Sequence, residues 1–271
     1  MKKLFVIVLV ACTPLLARAD GSDLPSKQVT VPAILCSENI VSPRESDTQP
    51  LPPPDMPDGG IVQVDLSESV ASKLEAYIYD LGILLAPRGW HCDYSVLGGY
   101  GAIASVHPNG NNPNYYGIGA SFNYTQGYEA GRQIAQVLAN TYFPAEMKRL
   151  YADHPDYLDT TETNKTYKTD QIKYESDMEL DFKTPAHQIG FESPEKWSTG
   201  TDKKEKLLRI PLNVPIDGFL SLAGTPNDHG LCHVFSYSVI LPPNLYDLDP
   251  YLIRDEKSRP EAMPSTNSTN C

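Results

Sequence analysis

The sequence predicts an α+β fold: an antiparallel sheet packed with two main helices and held by one or two disulfides. Three observations lead there. Short runs rich in β-favouring residues are bounded by Gly, Pro and Asn, and Cys232–Leu241 is the strongest of them. Two stretches, 66–82 and 126–142, place apolar residues at helical spacing. Four cysteines, an even number, remain once an N-terminal leader is set aside.

That leader is the first element. Met1-Lys2-Lys3 is a basic start, Leu4 to Leu16 is an apolar stretch, and Ala17-Arg18-Ala19 fits a small-x-small cleavage site before Asp20. Residues 1–19 therefore read as a secretory signal peptide. The apolar stretch is too short for a bilayer, which needs about 20 residues, and no later segment is long enough, so no transmembrane segment is expected. The destination is periplasmic or secreted. A second reading stays open: Leu9-Val10-Ala11-Cys12 resembles a bacterial lipoprotein box, which would anchor the chain at Cys12.

Residues 20–60 form an N-terminal extended segment. Val29–Leu35 is a short strand expected to join the main domain. Ser42–Gly60 carries Pro43, Pro50, Pro52, Pro53, Pro54 and Pro57, a density that blocks helix and sheet alike and marks a linker. The main domain spans 61–254. Ile61–Val64 reads as a strand. Asp65 and Glu68 have capping-box spacing, and Val70, Leu74, Tyr77, Ile78 and Leu81 recur as on a helix, so 66–82 is assigned as helical, stopping at Gly82.

The run Leu85-Ala-Pro-Arg-Gly-Trp-His-Cys92 follows. It resembles a Leu-Ala-Pro-Arg-Gly-Trp-x-Cys segment of uncharacterised secreted bacterial proteins. The likeness covers residues 82–106. It implies export and a structural motif and brings no activity with it. By residue type alone, Pro87-Arg88-Gly89 is a turn and Trp90 a core anchor. Gly98-Gly99 marks a hairpin turn or bulge, and 107–114 a long loop. A second helix runs from Gln126 to Tyr142, and Ala145–Tyr151 adds two turns. Lys165–Phe182 alternates as a half-exposed strand or hairpin. Leu207–Val214 and Phe219–Ala223 read as strands around a turn at Pro215–Gly218. Residues 255–271 are polar and expected to be disordered.

The chain has 271 residues, a formal net charge of −12 and 41% hydrophobic residues. That apolar content suits a folded core. The acidic balance excludes nucleic acid as a partner, which calls for a basic stripe. Losing Lys2, Lys3 and Arg18 with the leader takes the charge to −15. Cys36, Cys92, Cys232 and Cys271 fit an oxidising compartment. Three pairings are open to them, and Cys36–Cys271 with Cys92–Cys232 is the one expected.

Candidate chemistry is sparse. His91-Cys92 mirrors Cys232-His233, so a Cys92–Cys232 bridge would gather His91, His229 and His233 into a metal site of the Zn²⁺ or Cu²⁺ type. Structural or surface roles compete with that reading for all three. Carboxylates recur at Asp177, Glu179, Asp181, Asp247 and Asp249 without a recognised spacing. No Gly-x-Ser-x-Gly or His-Glu-x-x-His is present, and the glycine pairs at Gly117 and Gly127 match no nucleotide loop. No cofactor is predicted. There are 16 Tyr against 2 Trp, crowded in the middle, which makes Tyr115, Tyr116 and Tyr124 candidates for binding. The functional expectation is an exported non-catalytic binding protein whose partner is a protein or a cell-wall saccharide. The alternative is a secreted hydrolase using carboxylates or a His-bound metal.

Overall fold

The structure is a computed structural model that describes residues 27–40, 54–80, 82–96, 101–108, 119–126, 129–153, 167–199, 205–225 and 230–259. The leader, Cys12, Tyr115, Tyr116, His229 and Cys271 lie outside the described residues. Within them stand fourteen strands and four α-helices, so the fold is mostly β rather than the expected α+β.

Strands β1 (Lys27–Leu35), β3 (Ile61–Leu66), β4 (Leu74–Tyr79) and β5 (Gly82–Pro87) form one sheet in the order β3-β1-β4-β5. The largest departure from the sequence reading sits here. Only α1 (Glu68–Ala71) is helical where a helix over 66–82 was expected, and its cap is Ser67, not Asp65. The chain then extends into β4 and turns back as β5. β4 lies between β1 and β5 and is buried on both faces: Leu74, Ala76 and Tyr77 are fully buried, with Ile78 and Tyr79 nearly so. A doubly buried strand has no polar side, so its apolar residues also satisfy a helical spacing.

At Cys36 the chain leaves this sheet. It enters a second sheet as β2 (Ser37–Ile40), parallel to β6 (His91–Val96). That sheet has eight strands in the order β2-β6-β7-β8-β14-β13-β10-β9. The others are β7 (Gly101–His107), β8 (Gly119–Gln126), β9 (Gln171–Ser176), β10 (Glu179–Thr184), β13 (Ile216–Thr225) and β14 (Gly230–Ile240). Every pairing in it except β2–β6 is antiparallel. β11 (Glu195–Thr199) and β12 (Glu205–Arg209) make a separate hairpin. Pro215–Gly218 is not the expected turn, because β13 starts at Ile216. Gly218 is needed there: a Cβ would lie 2.2 Å from the Tyr237 carbonyl oxygen and 2.6 Å from the Phe182 ring.

Strand alternation gives the large sheet two apolar faces. One carries Cys92, Tyr94, Ala104, Val106, Phe219 and Tyr237, and its core is continuous with that of the four-stranded sheet. Tyr79 and Tyr94 meet across this junction with ring centroids 5.4 Å apart. The other face carries Leu180, Phe182, Ile216, Leu220 and Val234 beneath α2 (Glu129–Tyr142) and α3 (Pro144–Leu150). α4 (Asp249–Ser258) runs four residues past Arg254 and ties the sheets together. Its Arg254 donates to the Asp65 carbonyl of β3, Arg259 donates to the Ile83 carbonyl of β5, and Lys257 pairs with Glu179 of β10 at 2.8 Å.

The disulfide is Cys36–Cys92, with the Cα atoms 4.8 Å apart. This corrects the expected Cys36–Cys271 and Cys92–Cys232 pairs. Topology supplies the reason. The chain passes between the sheets at Cys36 and again at the β5–β6 turn, just before Cys92, and the bridge ties these two crossings together. Cys232 lies in β14, three strands from β6 in the sheet order.

Candidate functional site

The site grows out of the turn in the Leu85–Cys92 run. Gly89 sits at φ 77°, a conformation that glycine adopts without penalty. Its N–H donates to Glu75 Oε2 at 2.8 Å. The Trp90 N–H donates to the Tyr77 hydroxyl at 3.0 Å, and that hydroxyl lies 3.1 Å from the Pro87 carbonyl. Burial first, and the Glu75 carboxylate second, hold the Tyr77 phenol well above its ordinary pKa, so it stays a neutral donor. Arg88 flanks Glu75 at 3.7 Å, and Trp90 packs half-buried on the core. Each residue of the turn thus has a structural task.

β6 leaves this turn with a fixed phase. Cys92 and Tyr94 point into the core, so His91, Asp93 and Ser95 fall on the opposite face. The antiparallel register sets His91 opposite His107 and Asp93 opposite Ser105. The result is one carboxylate between two imidazoles. His91 Nε2 is 3.1 Å from Asp93 Oδ1, and His107 Nε2 is 3.0 Å from Asp93 Oδ2. The rings meet edge-on, with centroids 5.7 Å apart. The Asp93 and His107 side chains are only 14% and 12% exposed, whereas His91 is 38% exposed and gives the cluster its outward face. Ser105 is buried beside it, and its Oγ has no hydrogen-bond partner among the described residues.

This arrangement fixes tautomers. A carboxylate only accepts, so each imidazole presents an Nε2–H to it and keeps Nδ1 as an acceptor when neutral. The cluster offers directional donors and acceptors on a β surface. It also resembles an oriented base, with Asp93 fixing an imidazole as carboxylates do beside catalytic histidines.

The other sequence candidates do not converge here. The sheet order and register place His233 three strands from His91 and roughly 23 Å away along the strands. The two therefore do not meet, and His229 lies outside the described residues. Among the described residues, no three His, Cys, Asp or Glu side chains are arranged to hold a metal ion. In the His91–Asp93–His107 cluster, each imidazole is directed to a different carboxylate oxygen rather than to a shared centre. Tyr124 is placed in β8, opposite Ala102 and Phe235. Glu179 and Asp181 pair with Lys257 of α4, so these carboxylates serve the helix clamp. Burial raises Asp181, while a hydrogen bond from Lys173 lowers Glu175. Asp247 pairs with Lys73.

The sequence reading did not single out Asp93 and placed His107 at the start of a loop, whereas His107 ends β7 opposite His91, and a signal for this pairing was present. A hairpin centred on Gly99 puts position 91 opposite position 107, which is the register found. Comparison with protein-family models, with curated proteins and with solved structures finds no match to this chain. Among the described residues, no helix is long and apolar enough to cross a membrane.

Proposed function

We propose that the chain is an exported, non-catalytic binding protein of the bacterial envelope or secretome, and that the His91–Asp93–His107 face is its recognition surface. One observation carries the reading. β6 is tied covalently at Cys92, the residue between His91 and Asp93, so the two side chains are held on a strand that cannot drift from its neighbours. A disulfide at that point persists in an oxidising compartment, in keeping with the leader at residues 1–19. Rigid placement lowers the entropy lost on binding. The partner class is a cell-wall saccharide or an envelope protein, whose hydroxyl and amide groups match the donors and acceptors of the cluster.

The test uses the mature chain from Asp20. It is co-sedimented with purified cell-wall saccharide and, separately, cross-linked to envelope proteins. The expected result is retention by one of the two, weakened about ten- to a hundredfold by Asp93→Asn, since a charge-assisted hydrogen bond contributes roughly 1.5–3 kcal/mol. No retention by either would sink the reading.

A secreted hydrolase is the second reading, favoured by the outward imidazole of His91 oriented by Asp93. It predicts product release from a polysaccharide or peptide panel, lost in His91→Ala. Retention without turnover would leave the binding reading standing alone.

A further inference from the structure

We propose that β9 is a self-association edge, where two copies of this chain pair antiparallel about Tyr174. β9 ends the eight-stranded sheet, and among the described residues its strand partner is β10 alone. All six of its residues are exposed. An open edge normally carries devices that repel other strands, such as lysine. Here Lys173 is accompanied two residues later by Glu175, and between them Tyr174 is 56% exposed, with Ile172 37% exposed beside it.

The charges choose the register. A two-fold axis perpendicular to the sheet pairs residues that share a face, so the pairing is centred on a residue. Centred on Lys173, it sets lysine against lysine. Centred on Glu175, it sets glutamate against glutamate. Like charges directly opposite one another destabilise a strand pair. Centred on Tyr174, Lys173 of each copy faces Glu175 of the other, and the contact repeats twice. Within one chain these side chains already lie 2.8 Å apart, so pairing exchanges the two internal contacts of the separate copies for two across the dyad, and the charges set the register without adding to the number of ion pairs. On the other face the two Tyr174 rings meet, each steadied by its hydroxyl donating to the Tyr142 carbonyl at 2.7 Å. A single six-residue strand pair is at the small end of protein interfaces, so association is weak and rises with concentration. The two His91–Asp93–His107 clusters, near the other end of each sheet, stay apart.

The experiment is sedimentation velocity of the mature chain over a concentration series, with Lys173→Glu, Glu175→Lys and the double exchange. Circular dichroism of each variant verifies folding. The wild type is expected to show a concentration-dependent dimer. Each single variant brings like charges together and weakens it about tenfold, and the double exchange restores it. A wild type monomeric at every concentration would overturn the proposal. So would single and double variants that behave alike, since the charges would then not set the contact.

Discussion

Replacing Glu256 with Gln is expected to stabilise this protein at alkaline pH, and the sign follows from the setting of α4. Glu256 lies on the helix face turned to the buried phenols of Tyr79 in β4 and Tyr237 in β14, with Asp255 beside it and Arg259 nearby. Burial is the dominant influence, opposed by Arg259 and reinforced by Asp255, and pushes the carboxyl up from 4.5 to about 7. Between these pH values the folded chain holds a proton that the unfolded chain has lost. This group therefore favours folding most below pH 4.5, and its contribution falls as pH rises to about 7. A shift of that size corresponds to at most about 3 kcal/mol, and the surface the residue retains lowers it toward about 2. Glutamine has the same shape and no charge to bury. Urea unfolding of wild type and variant from pH 4 to 8.5, followed by tryptophan fluorescence, measures the difference directly. The two should match near pH 4, and the variant should be about 2–3 kcal/mol more stable at pH 8. Taking the difference removes the titration of every other carboxylate. A variant less stable than wild type at pH 8 would refute the reasoning, because the Glu256–Arg259 attraction would then outweigh burial.

Two further outcomes are expected. Replacing Cys36 and Cys92 with Ser opens a bridge between residues 56 apart and should cost about 4 kcal/mol by the chain-entropy estimate, read as a lower urea midpoint with an intact Cys232. Gly218→Ala forces a methyl group onto the Tyr237 carbonyl and should cost about 1–3 kcal/mol, whereas Ala at Gly60, where nothing lies within 4 Å, meets backbone strain alone.

Much of the large sheet was legible because its strands alternate. β14 carries Phe235, Tyr237 and Val239 with Ser236 and Ser238 between them, and the expected strand Cys232–Leu241 matches Gly230–Ile240 closely. The β9–β10 hairpin was visible for the same reason, as Ile172, Tyr174, Leu180 and Phe182 keep a period of two. β4 was not legible. Buried on both sides, it has no polar face to betray its period, and a true helix cap at Ser67 just before it reinforced the wrong reading. The disulfide failed on a different ground. Pairing depends on where the chain changes sheets, and no local pattern encodes that. The cluster at Asp93 lay between these cases. His91 was singled out, but the mirror image of Cys92-His91 in Cys232-His233 pointed to β14, while the Gly98-Gly99 hairpin carried the correct partner, His107.

The proposed function requires β6 to be locked at Cys92 in an exported chain. Non-reducing peptide mapping by mass spectrometry, on protein purified from the envelope or culture fraction, tests this most directly. The predicted result is a mature N-terminus at Asp20 and a linked peptide containing Cys36 and Cys92. A peptide joining Cys92 to Cys232, free thiols at both positions, or a chain that keeps its leader would contradict it.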